Sequence, residues 1–407
     1  MTKIIPGVIG LGYVGLPIFL RLCKNYPTTG FDINKSRIKQ LKSKLDFNFE
    51  FNKKELIIND NSNLTYKEKD MQSCNFFIIT VPTPVYKNKK PDLRPLILAT
   101  KIISKYIKKN DIIFYESTVY PGVTEDICTK IIEKVSKLKS QQDFFVGYSP
   151  ERINPGDSKH SVEKINKIVA FKNAPYETKN RIINVYKKIS KKIILSNNIK
   201  ESETSKVIEN IQRDINIAFI NEIFMICKKL NLNFSNIIKL ASTKWNFLRF
   251  TPGLVGGHCL PVDPYYLYAL AKKNNINAKF MLAGRNVNNE MENFVYKSII
   301  KKINFLKCKK ILIAGITYKA NVADIRNSLA LSIYKRLKKN KNFETFCYDP
   351  VINNKYIKKY KILDNLNLKK NFDLIVPLVP HTKLFKILNL YKNSSAIIFD
   401  IFDFYKK

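Results

Sequence analysis

Three glycines near the start of the chain constrain the fold more than any other feature. They stand in the segment GLGYVG as Gly10, Gly12 and Gly15, directly after the apolar segment GVIG and before a predicted helix. In a strand–turn–helix unit the first glycine permits a tight turn, the second lets a pyrophosphate approach the backbone, and the third allows close helix–strand packing. The segment therefore predicts a dinucleotide-binding unit, and the alternative is a glycine turn of purely structural use.

An acidic residue follows this segment where a dinucleotide-binding unit needs one. Asp32 ends the next predicted strand, in the segment FDIN. A carboxylate at this place accepts hydrogen bonds from the ribose hydroxyls and repels a 2′-phosphate, so NAD is favoured over NADP. Pro6 has no N–H to donate to a strand ladder, and we therefore expect the first strand to begin at Gly7.

Short apolar segments alternate with helical segments in the first half of the chain. Strands are predicted at GVIG, TTGFDI, NFFIITVP, DIIFYEST and FFVGYSP. This alternation indicates a parallel sheet with helices on both faces. A helical region follows from about Glu201 to Leu306, and strands return at KKILIAGITYK, ETFCYDP, FDLIVPLVP and SAIIFDIF. The predicted fold class is α/β, with two doubly wound parallel-sheet regions joined by an all-helical region.

The composition indicates the broad class of protein. With 407 residues, of which 45% are hydrophobic, the chain is long enough for two or three folded domains. No apolar run approaches the roughly 20 residues of a membrane-spanning helix, and the N-terminal segment enters the glycine motif instead of a cleavable signal. We therefore expect a cytoplasmic protein without a membrane span.

The net charge of +38 raises the question of nucleic-acid binding. Lysines are spread along the chain, including helical segments such as KIISKYIKK, and are not gathered in one stretch. This distribution indicates a compositional bias with lysines on solvated faces, so no nucleic-acid partner is predicted. The seven cysteines are scattered and odd in number, and there are three histidines, which indicates reduced thiols and no metal site.

Polar residues follow several predicted strands, in the segments TVPTP, YESTVYPG and SPERINPGD. Ligands of doubly wound sheets bind beyond the carboxyl ends of the strands, so Thr83, Ser117 and Thr118 are expected near the cofactor. Glu151 and Arg152 end another strand, where a carboxylate serves as an acid or base, or caps a helix. Proline and hydroxyl residues are also ordinary turn formers, and both interpretations remain open for these segments.

Two further segments carry groups with possible chemistry. Lys206 and Asn210 are four residues apart in SKVIENIQRDIN and share one face of the predicted helix, where the alternative is an exposed pair. Cys259 follows a run of glycines in PGLVGGHCLPVD, with the carboxylate of Asp263 four residues on. A thiol beside a carboxylate is capable of covalent chemistry, and the alternative is a small buried core residue.

The order of these motifs resembles the nucleotide-sugar 6-dehydrogenase family, the UDP-glucose/GDP-mannose dehydrogenases. The resemblance extends over nearly the whole chain. In chain order, the motifs are GLGYVG, FDINKSR, TVPTP, ESTVYPG, SPERINPGD, KVIEN, PGLVGGHC with VDPYYL, and ITYKANVADIRNS. SPERINPGD and PGLVGGHC are most similar to the UDP-N-acetylhexosamine dehydrogenases, which supply uronic acids for surface polysaccharide. UDP-glucose or GDP-mannose is the alternative substrate, and a non-catalytic NAD-binding regulator is the alternative class.

The resemblance implies a four-electron oxidation of a sugar C6 alcohol to a carboxylate, with NAD as the acceptor. Cys259 would be the nucleophile that forms a thiohemiacetal and then a thioester. Lys206 and Asn210 would hold the developing oxyanion and contact the substrate, and Asp263 would orient or deprotonate water. Thr118 would hold an ordered water, and Glu151 would act as the acid or base in thioester hydrolysis.

The resemblance also implies binding residues, three domains and a homodimer. The cofactor residues would be Gly10, Leu11, Gly12, Tyr13, Val14, Gly15, Asp32, Arg37, Thr83, Pro84, Ser117, Thr118 and Arg326. The UDP-sugar residues would be Glu151, Arg152, Lys206, Asn210, Phe250, Gly253, Gly256, Gly257, Tyr318 and Lys319. The domains would be an NAD-binding domain at 1–198, a helical dimerisation domain at 199–304 and a UDP-sugar-binding domain at 305–407.

One segment departs from the family pattern. In LAGRNVNNEM the family usually has a second arginine and then an aspartate, where this chain has Asn286 and Asn289. Arg285 beside them is a possible substrate or interface residue.

Overall fold

The computed structural model describes residues 3–48, 51–153, 162–366, 371–391 and 394–405. Residues 154–157 of the motif SPERINPGD therefore lie outside the described residues. The chain divides into two compact units. The first unit is Met1–Glu209 with Tyr265–Ile276, and the second is Asn210–Pro264 with Asn277–Lys407.

The described part of the first unit contains a sheet of eight strands. These are β1 (Pro6–Ile9), β2 (Thr29–Phe31), β3 (Asn63–Thr65), β4 (Phe76–Ile79), β5 (Asp111–Tyr115), β6 (Phe144–Tyr148), β7 (Lys167–Phe171) and β8 (Ile193–Ser196). Their order across the sheet is β3-β2-β1-β4-β5-β6-β7-β8. The first six of these in the sheet order are mutually parallel, and five of them, β1, β2, β4, β5 and β6, are strands that the sequence predicts.

Helices cover both faces of this sheet. They are α1 (Gly15–Cys23), α2 (Lys35–Lys42), α3 (Arg94–Ser104), α4 (Lys130–Ser136) and α5 (Tyr176–Ile189), with a 3-10 helix at Glu68–Ser73 and a π-helical turn at Val123–Thr129. Successive strand residues point to opposite faces, so Phe76 and Ile78 join one hydrophobic cluster and Phe77 and Ile79 join the other. The apolar strand segments are therefore explained by burial on both sides.

Three features of the first unit differ from the sequence-based expectation. The strands β3, β7 and β8 were not predicted, and β7 pairs antiparallel with β6. A parallel neighbour needs a crossover connection, usually a helix, and the described residues between β6 and β7 form none. Strand β1 begins at Pro6 and not at Gly7, because the first residue of a strand tolerates the loss of an N–H donor.

The second unit contains a sheet of four parallel strands among its described residues. They are β9 (Lys310–Ala314), β10 (Glu344–Tyr348), β11 (Leu374–Pro377) and β12 (Ile397–Ile398), in the order β10-β9-β11-β12. These are the four strands that the sequence predicts for the C-terminal region. The helices of this region are α10 (Leu329–Lys338), α11 (Asn354–Tyr360) and α12 (Thr382–Tyr391).

The predicted helical region is also present. It consists of α6 (Ile199–Lys229), α7 (Phe234–Ala241), α8 (Asp263–Lys273) and α9 (Lys279–Leu306). The boundary between the units at residues 209 and 210 falls inside α6, and that at 264 and 265 falls inside α8. Phe224 of α6 and Val295 of α9 belong to the same buried cluster as Ile311 and Ile313 of β9.

Candidate active site

The three glycines in the turn after β1 have different steric surroundings. Gly10 has a φ of +91°, a conformation that favours glycine, and its N–H donates to the carbonyl of Phe31 at 2.8 Å. A Cβ on Gly15 would collide with the carbonyl oxygen of Gly10 and the hydroxyl of Thr80, whereas a Cβ on Gly12 would meet no atom within 4 Å. Gly15 therefore serves helix–strand packing, and the space beside Gly12 is open to a ligand.

Asp32 and Arg37 hold the turn from two sides. Asp32 accepts a hydrogen bond from the N–H of Leu11 at 2.9 Å, and Arg37 donates to the carbonyl of Leu11 at 2.8 Å. Arg37 also pairs with the buried carboxylate of Asp46 at 2.7 Å, and its Nη2 is buried without a hydrogen-bond partner among the described residues. The open space at Gly12, the start of α1 and the Asp32 carboxylate fit a dinucleotide. Tyr13 and Val14, in the same turn, are half-buried.

Hydrogen bonds join the loops that follow β4 and β5. The hydroxyl of Thr83 donates to the carbonyl of Thr118 at 2.6 Å, and that of Ser117 donates to the carbonyl of Val81 at 2.6 Å. The carbonyl of Pro84 accepts from the hydroxyl of Tyr266 at 3.0 Å. These side chains fix the loops at the carboxyl edge of the sheet, which is the edge where a doubly wound sheet binds its ligand.

Glu151 belongs to a buried cluster that the sequence did not predict. Lys167, at the start of β7, donates to Glu151 Oε2 at 2.9 Å and forms an ion pair with Glu116, which follows β5. The hydroxyl of Tyr186 donates to Glu116 at 2.9 Å. Burial, with a smaller contribution from the charge of Glu151, raises the pKa of Glu116 to about 7, although Lys167 opposes the rise.

Arg152 and Lys206 both belong to the first unit. Arg152 forms an ion pair with Glu209 of α6 and donates to the carbonyl of Asn166 at 3.3 Å. Lys206 is buried on α6. Glu209 lies three residues after Lys206, so Arg152 is attached to the same stretch of helix.

Cys259 begins the turn that leads into α8. Its carbonyl accepts hydrogen bonds from the N–H groups of Val262 and Asp263, both at 2.9 Å. The buried carboxylate of Asp263 accepts from the amide of Asn210, which in turn accepts from Arg213. The structure therefore brings together Asn210, which lies in α6, and Asp263, which is the first residue of α8.

Cys259 also differs in exposure from the six other cysteines. All seven are free thiols, and Cys259 is partly exposed while the others are buried. Burial raises the pKa of Cys23 and Cys74 to about 11 and that of Cys128 to about 12. These buried thiols are poor nucleophiles because the thiolate is the reactive form.

A buried polar network holds the loops on either side of the cysteine. Arg285 of α9 is 1% exposed, pairs with Asp214 of α6, and donates to the carbonyl of Leu260 at 3.4 Å. Asn288 donates to the Asp214 carboxylate at 2.8 Å. Burial raises the pKa of Asp214 to about 6, although Arg285 and Asn288 oppose the rise. Arg285 is therefore an interior residue that restrains the residue after Cys259.

The same network reaches the glycine-rich loop. Asn221 of α6 donates to Asn288 at 2.8 Å and to the carbonyl of Gly253 at 3.1 Å. Its own amide oxygen accepts from the N–H of Gly253 at 2.8 Å. A Cβ on Gly253 would meet no atom within 4 Å, so this loop presents open space there. Phe250, three residues earlier, packs against the hydrophobic cluster of the second unit.

Gly256 and Gly257 pack against the loop after β9. A Cβ on Gly256 would lie 2.9 Å from Tyr318 Cβ, and one on Gly257 would lie 2.7 Å from the Tyr318 ring. The N–H of Gly257 donates to the carbonyl of Arg326 at 3.0 Å. Arg326 is half-exposed and pairs with Asp324 at 2.6 Å, and the carbonyl of Lys319 accepts from Thr317 at 3.0 Å. The glycines are thus required by close packing on Tyr318.

None of the described helices combines the length and the low polarity that crossing a membrane requires. No group of three or more His, Cys, Asp or Glu side chains is arranged to hold a metal ion within the described ranges.

Three family models match successive parts of the chain. The NAD binding domain of the UDP-glucose/GDP-mannose dehydrogenase family matches residues 4–190, its central domain matches residues 200–290, and its UDP binding domain matches residues 312–407. Together they cover most of the sequence.

Individual proteins resemble the chain over most of its length. It is 42% identical to a UDP-N-acetyl-D-glucosamine 6-dehydrogenase of Pseudomonas aeruginosa, over 84% of this chain and 82% of that protein. It is also 42% identical to a UDP-N-acetyl-D-glucosamine 6-dehydrogenase of Salmonella typhi, over 92% of this chain and 89% of that protein. Among solved structures, a UDP-D-ManNAc dehydrogenase from Pyrococcus horikoshii matches with a TM-score of 0.85 at 28% identity, over 97% of this chain and 94% of that one.

Proposed function

The chain belongs to the UDP-glucose/GDP-mannose dehydrogenase family, and from this premise we propose that it oxidises the C6 alcohol of a UDP-N-acetylhexosamine to the uronic acid. The substrate is UDP-N-acetylglucosamine or UDP-N-acetylgalactosamine, and the product serves surface polysaccharide. UDP-glucose or GDP-mannose remains the alternative substrate. The names of two relatives that are 42% identical support the N-acetylated sugar.

The contrast between Cys259 and the buried cysteines carries the proposal. A partly exposed thiol at the start of a helical turn suits a nucleophile, because the helix N-terminus favours the thiolate. The C6 alcohol first loses a proton from its oxygen and a hydride from its carbon and becomes an aldehyde. The Cys259 thiolate then attacks this aldehyde, which forms a C–S bond and an alkoxide. Loss of a hydride from C6 gives the thioester, and attack by water then breaks the C–S bond and returns the thiolate.

Other residues stabilise the developing negative charge, orient water and transfer protons. Lys206 and Asn210 hold the developing oxyanion, since an ammonium and an amide N–H both stabilise negative oxygen. Asp263 orients or deprotonates water, Thr118 holds an ordered water, and Glu151 is the acid or base of thioester hydrolysis. The buried carboxylate of Asp263, bonded to Asn210, supports a fixed orientation for both side chains.

NAD, when bound, supplies the hydride acceptor for each oxidation. The residues proposed to hold it are Gly10, Leu11, Gly12, Tyr13, Val14, Gly15, Asp32, Arg37, Thr83, Pro84, Ser117, Thr118 and Arg326. The residues proposed to bind the UDP-sugar are Glu151, Arg152, Lys206, Asn210, Phe250, Gly253, Gly256, Gly257, Tyr318 and Lys319. The open space beside Gly12 and Gly253 supports ligand contact at both loops.

The proposal includes three domains, 1–198, 199–304 and 305–407, and a location in the cytoplasm. The matches of the three family models fall inside these ranges, which supports the division. Seven free thiols suit a reducing compartment.

We also propose a homodimer. Phe219 and Ile226 lie on one face of α6, Leu230 directly follows this helix, and all three are exposed; Trp245 is 92% exposed. Exposed apolar residues gathered on a helix are typical of an interface. Sedimentation should give the mass of two chains, and Phe219→Asp should shift it to one; a monomeric wild-type protein would contradict the proposal.

The test of the function is the amount of NADH formed per sugar consumed. Purified protein is offered UDP-N-acetylglucosamine, UDP-N-acetylgalactosamine, UDP-glucose and GDP-mannose in turn. About two NADH per sugar, with an N-acetylated substrate preferred, is expected for a four-electron oxidation. One NADH per sugar would refute the role of Cys259, and no NADH with any of the four would refute the enzymatic function.

A further inference from the structure

The buried cluster around Lys167 joins a residue with a proposed catalytic role to three without one. Lys167 and Glu116 are each 1% exposed, and Tyr186 and Glu151 are also buried. The Lys167 ammonium pairs with both carboxylates, and the Tyr186 hydroxyl donates to Glu116. Two carboxylates thus share one cation away from water.

The two oxygens of Glu151 are restrained separately. Oε1 accepts from the N–H of Ile153 at 2.5 Å, and Oε2 accepts from Lys167 at 2.9 Å. One partner is a neutral amide and the other is a full positive charge, so Lys167 makes the charge-assisted contact with Glu151. Removing Lys167 would free one oxygen and leave the charge uncompensated.

Glu116 competes with Glu151 for the same cation. Burial by itself lowers the pKa of Lys167, but the two carboxylates outweigh this effect and the pKa stands above its ordinary value. Among the described residues of the first unit, the charged and titratable groups that face Glu151 are Lys167 from β7, Glu116 after β5 and Tyr186 from α5, while the neighbouring Arg152 pairs with Glu209. An ionised Glu116 therefore weakens the electrostatic stabilisation that Lys167 gives to Glu151.

We propose that Lys167 is a positioning residue that fixes the orientation of Glu151 and compensates its charge, and that Glu116 limits this effect by sharing the cation. The inference rests on the proposed function, because it takes Glu151 as the acid or base of thioester hydrolysis. Lys167 and Glu116 touch Glu151 or its partner and are not themselves required to touch the substrate.

A merely structural cluster makes a different prediction from a positioning cluster. If Lys167 only held β7 against β5 and β6, replacing it or Glu116 would lower stability and leave the pH dependence of turnover in place. If Lys167 positions Glu151 and compensates its charge, the two replacements move the acidic limb of the pH profile in opposite directions, because one removes a cation and the other removes an anion.

The experiment measures kcat for NADH formation from about pH 4 to 9 for the wild type, Lys167→Met and Glu116→Gln. Lys167→Met should move the acidic limb to higher pH by about 1 unit or more, which lowers kcat about 10-fold at a pH on that limb. Glu116→Gln should move the limb to lower pH. Lys172→Met is the matched control, since Lys172 follows the same strand but is exposed and pairs with Glu125; its profile should equal the wild type.

A limb that stays in place in both variants, or moves in the same direction in both, would overturn the proposal. If Lys167→Met does not fold, Glu116→Gln is compared with the double variant Lys167→Met/Glu116→Gln, which loses one charge of each sign. The double variant should have its limb at higher pH than Glu116→Gln, and equal limbs would overturn the proposal. The NADH yield of the wild type tests the function separately, so unmoved limbs with a yield of about two NADH refute only the role of Lys167.

Discussion

Replacing Gly12 and Gly15 by alanine should separate cofactor binding from folding. The two residues are three positions apart in one turn, and the substitution adds the same methyl group at each. At Gly15 the new Cβ would collide with the carbonyl oxygen of Gly10, which also accepts a hydrogen bond from Thr80 at 2.6 Å. At Gly12 it would meet no atom of the protein within 4 Å.

The expected magnitudes follow from these surroundings. The backbone at Gly10 is held by Phe31 and Thr80, so Gly15→Ala is an overpacking substitution that costs about 1–3 kcal/mol or more. At about 2–4 °C per kcal/mol for a domain of this size, its Tm should fall by about 2–12 °C. Gly12→Ala should leave the Tm of the free protein within about 1 °C, because surface changes without contacts are nearly neutral.

The assay is thermal unfolding with and without NAD. At 100 times its Kd, NAD stabilises the wild type by about 2.7 kcal/mol. If the methyl group at Gly12 weakens binding about 10-fold, the same NAD concentration gives about 1.4 kcal/mol, so the NAD-induced rise in Tm should be about halved. A Gly12→Ala protein with the full NAD-induced rise, or a Gly15→Ala protein with the wild-type Tm, would refute the steric argument.

Three other changes test separate parts of the structure. Arg285→Met leaves the buried Asp214 carboxylate without its cation and should lower the free energy of unfolding in urea by about 3–5 kcal/mol. Arg336→Met, the control, breaks a partly exposed pair with Glu292 and should lower it by about 1 kcal/mol or less. Equal losses in the two variants would contradict the burial argument. Asp32→Asn removes the charge that repels a 2′-phosphate and should raise the ratio of NADP to NAD turnover at least about 10-fold, and an unchanged ratio would argue against its ribose contact. Cys259→Ser should abolish acid formation while NAD binding, measured by titration, is kept; continued acid formation would exclude the thioester route.

The local parts of the fold were predictable from sequence. The glycine turn, the five strands predicted in the first unit, the four C-terminal strands and the helical region between them all follow from patterns a few residues long. The strands β3, β7 and β8 were missed. β8 is only half-buried or exposed, so it lacks the continuous burial that marks the central strands. The direction of β7 depends on its pairing with β6, which no local pattern contains.

The candidate site was predictable to a smaller extent. Cys259 was selected because glycines precede it and Asp263 follows it, and the structure adds that it is the partly exposed cysteine among seven. Lys167 gave no signal, because a lysine in a lysine-rich chain looks like any solvated side chain. The sequence left Arg285 as a possible substrate or interface residue. In the structure it is buried against Asp214 and supports the loop that follows Cys259.

The sequence by itself determined the strand–turn–helix unit at Gly10 and was enough to predict the roles of Asp32 and Cys259, because each inference depends on residues that are close in the chain. Only the tertiary structure decided which charges are buried together. Glu116 and Lys167 are 51 residues apart and Asp214 and Arg285 are 71 apart, and each pair exists because folding removes both partners from water. A buried charge requires a partner and a surface charge does not, and burial is a property of the folded chain.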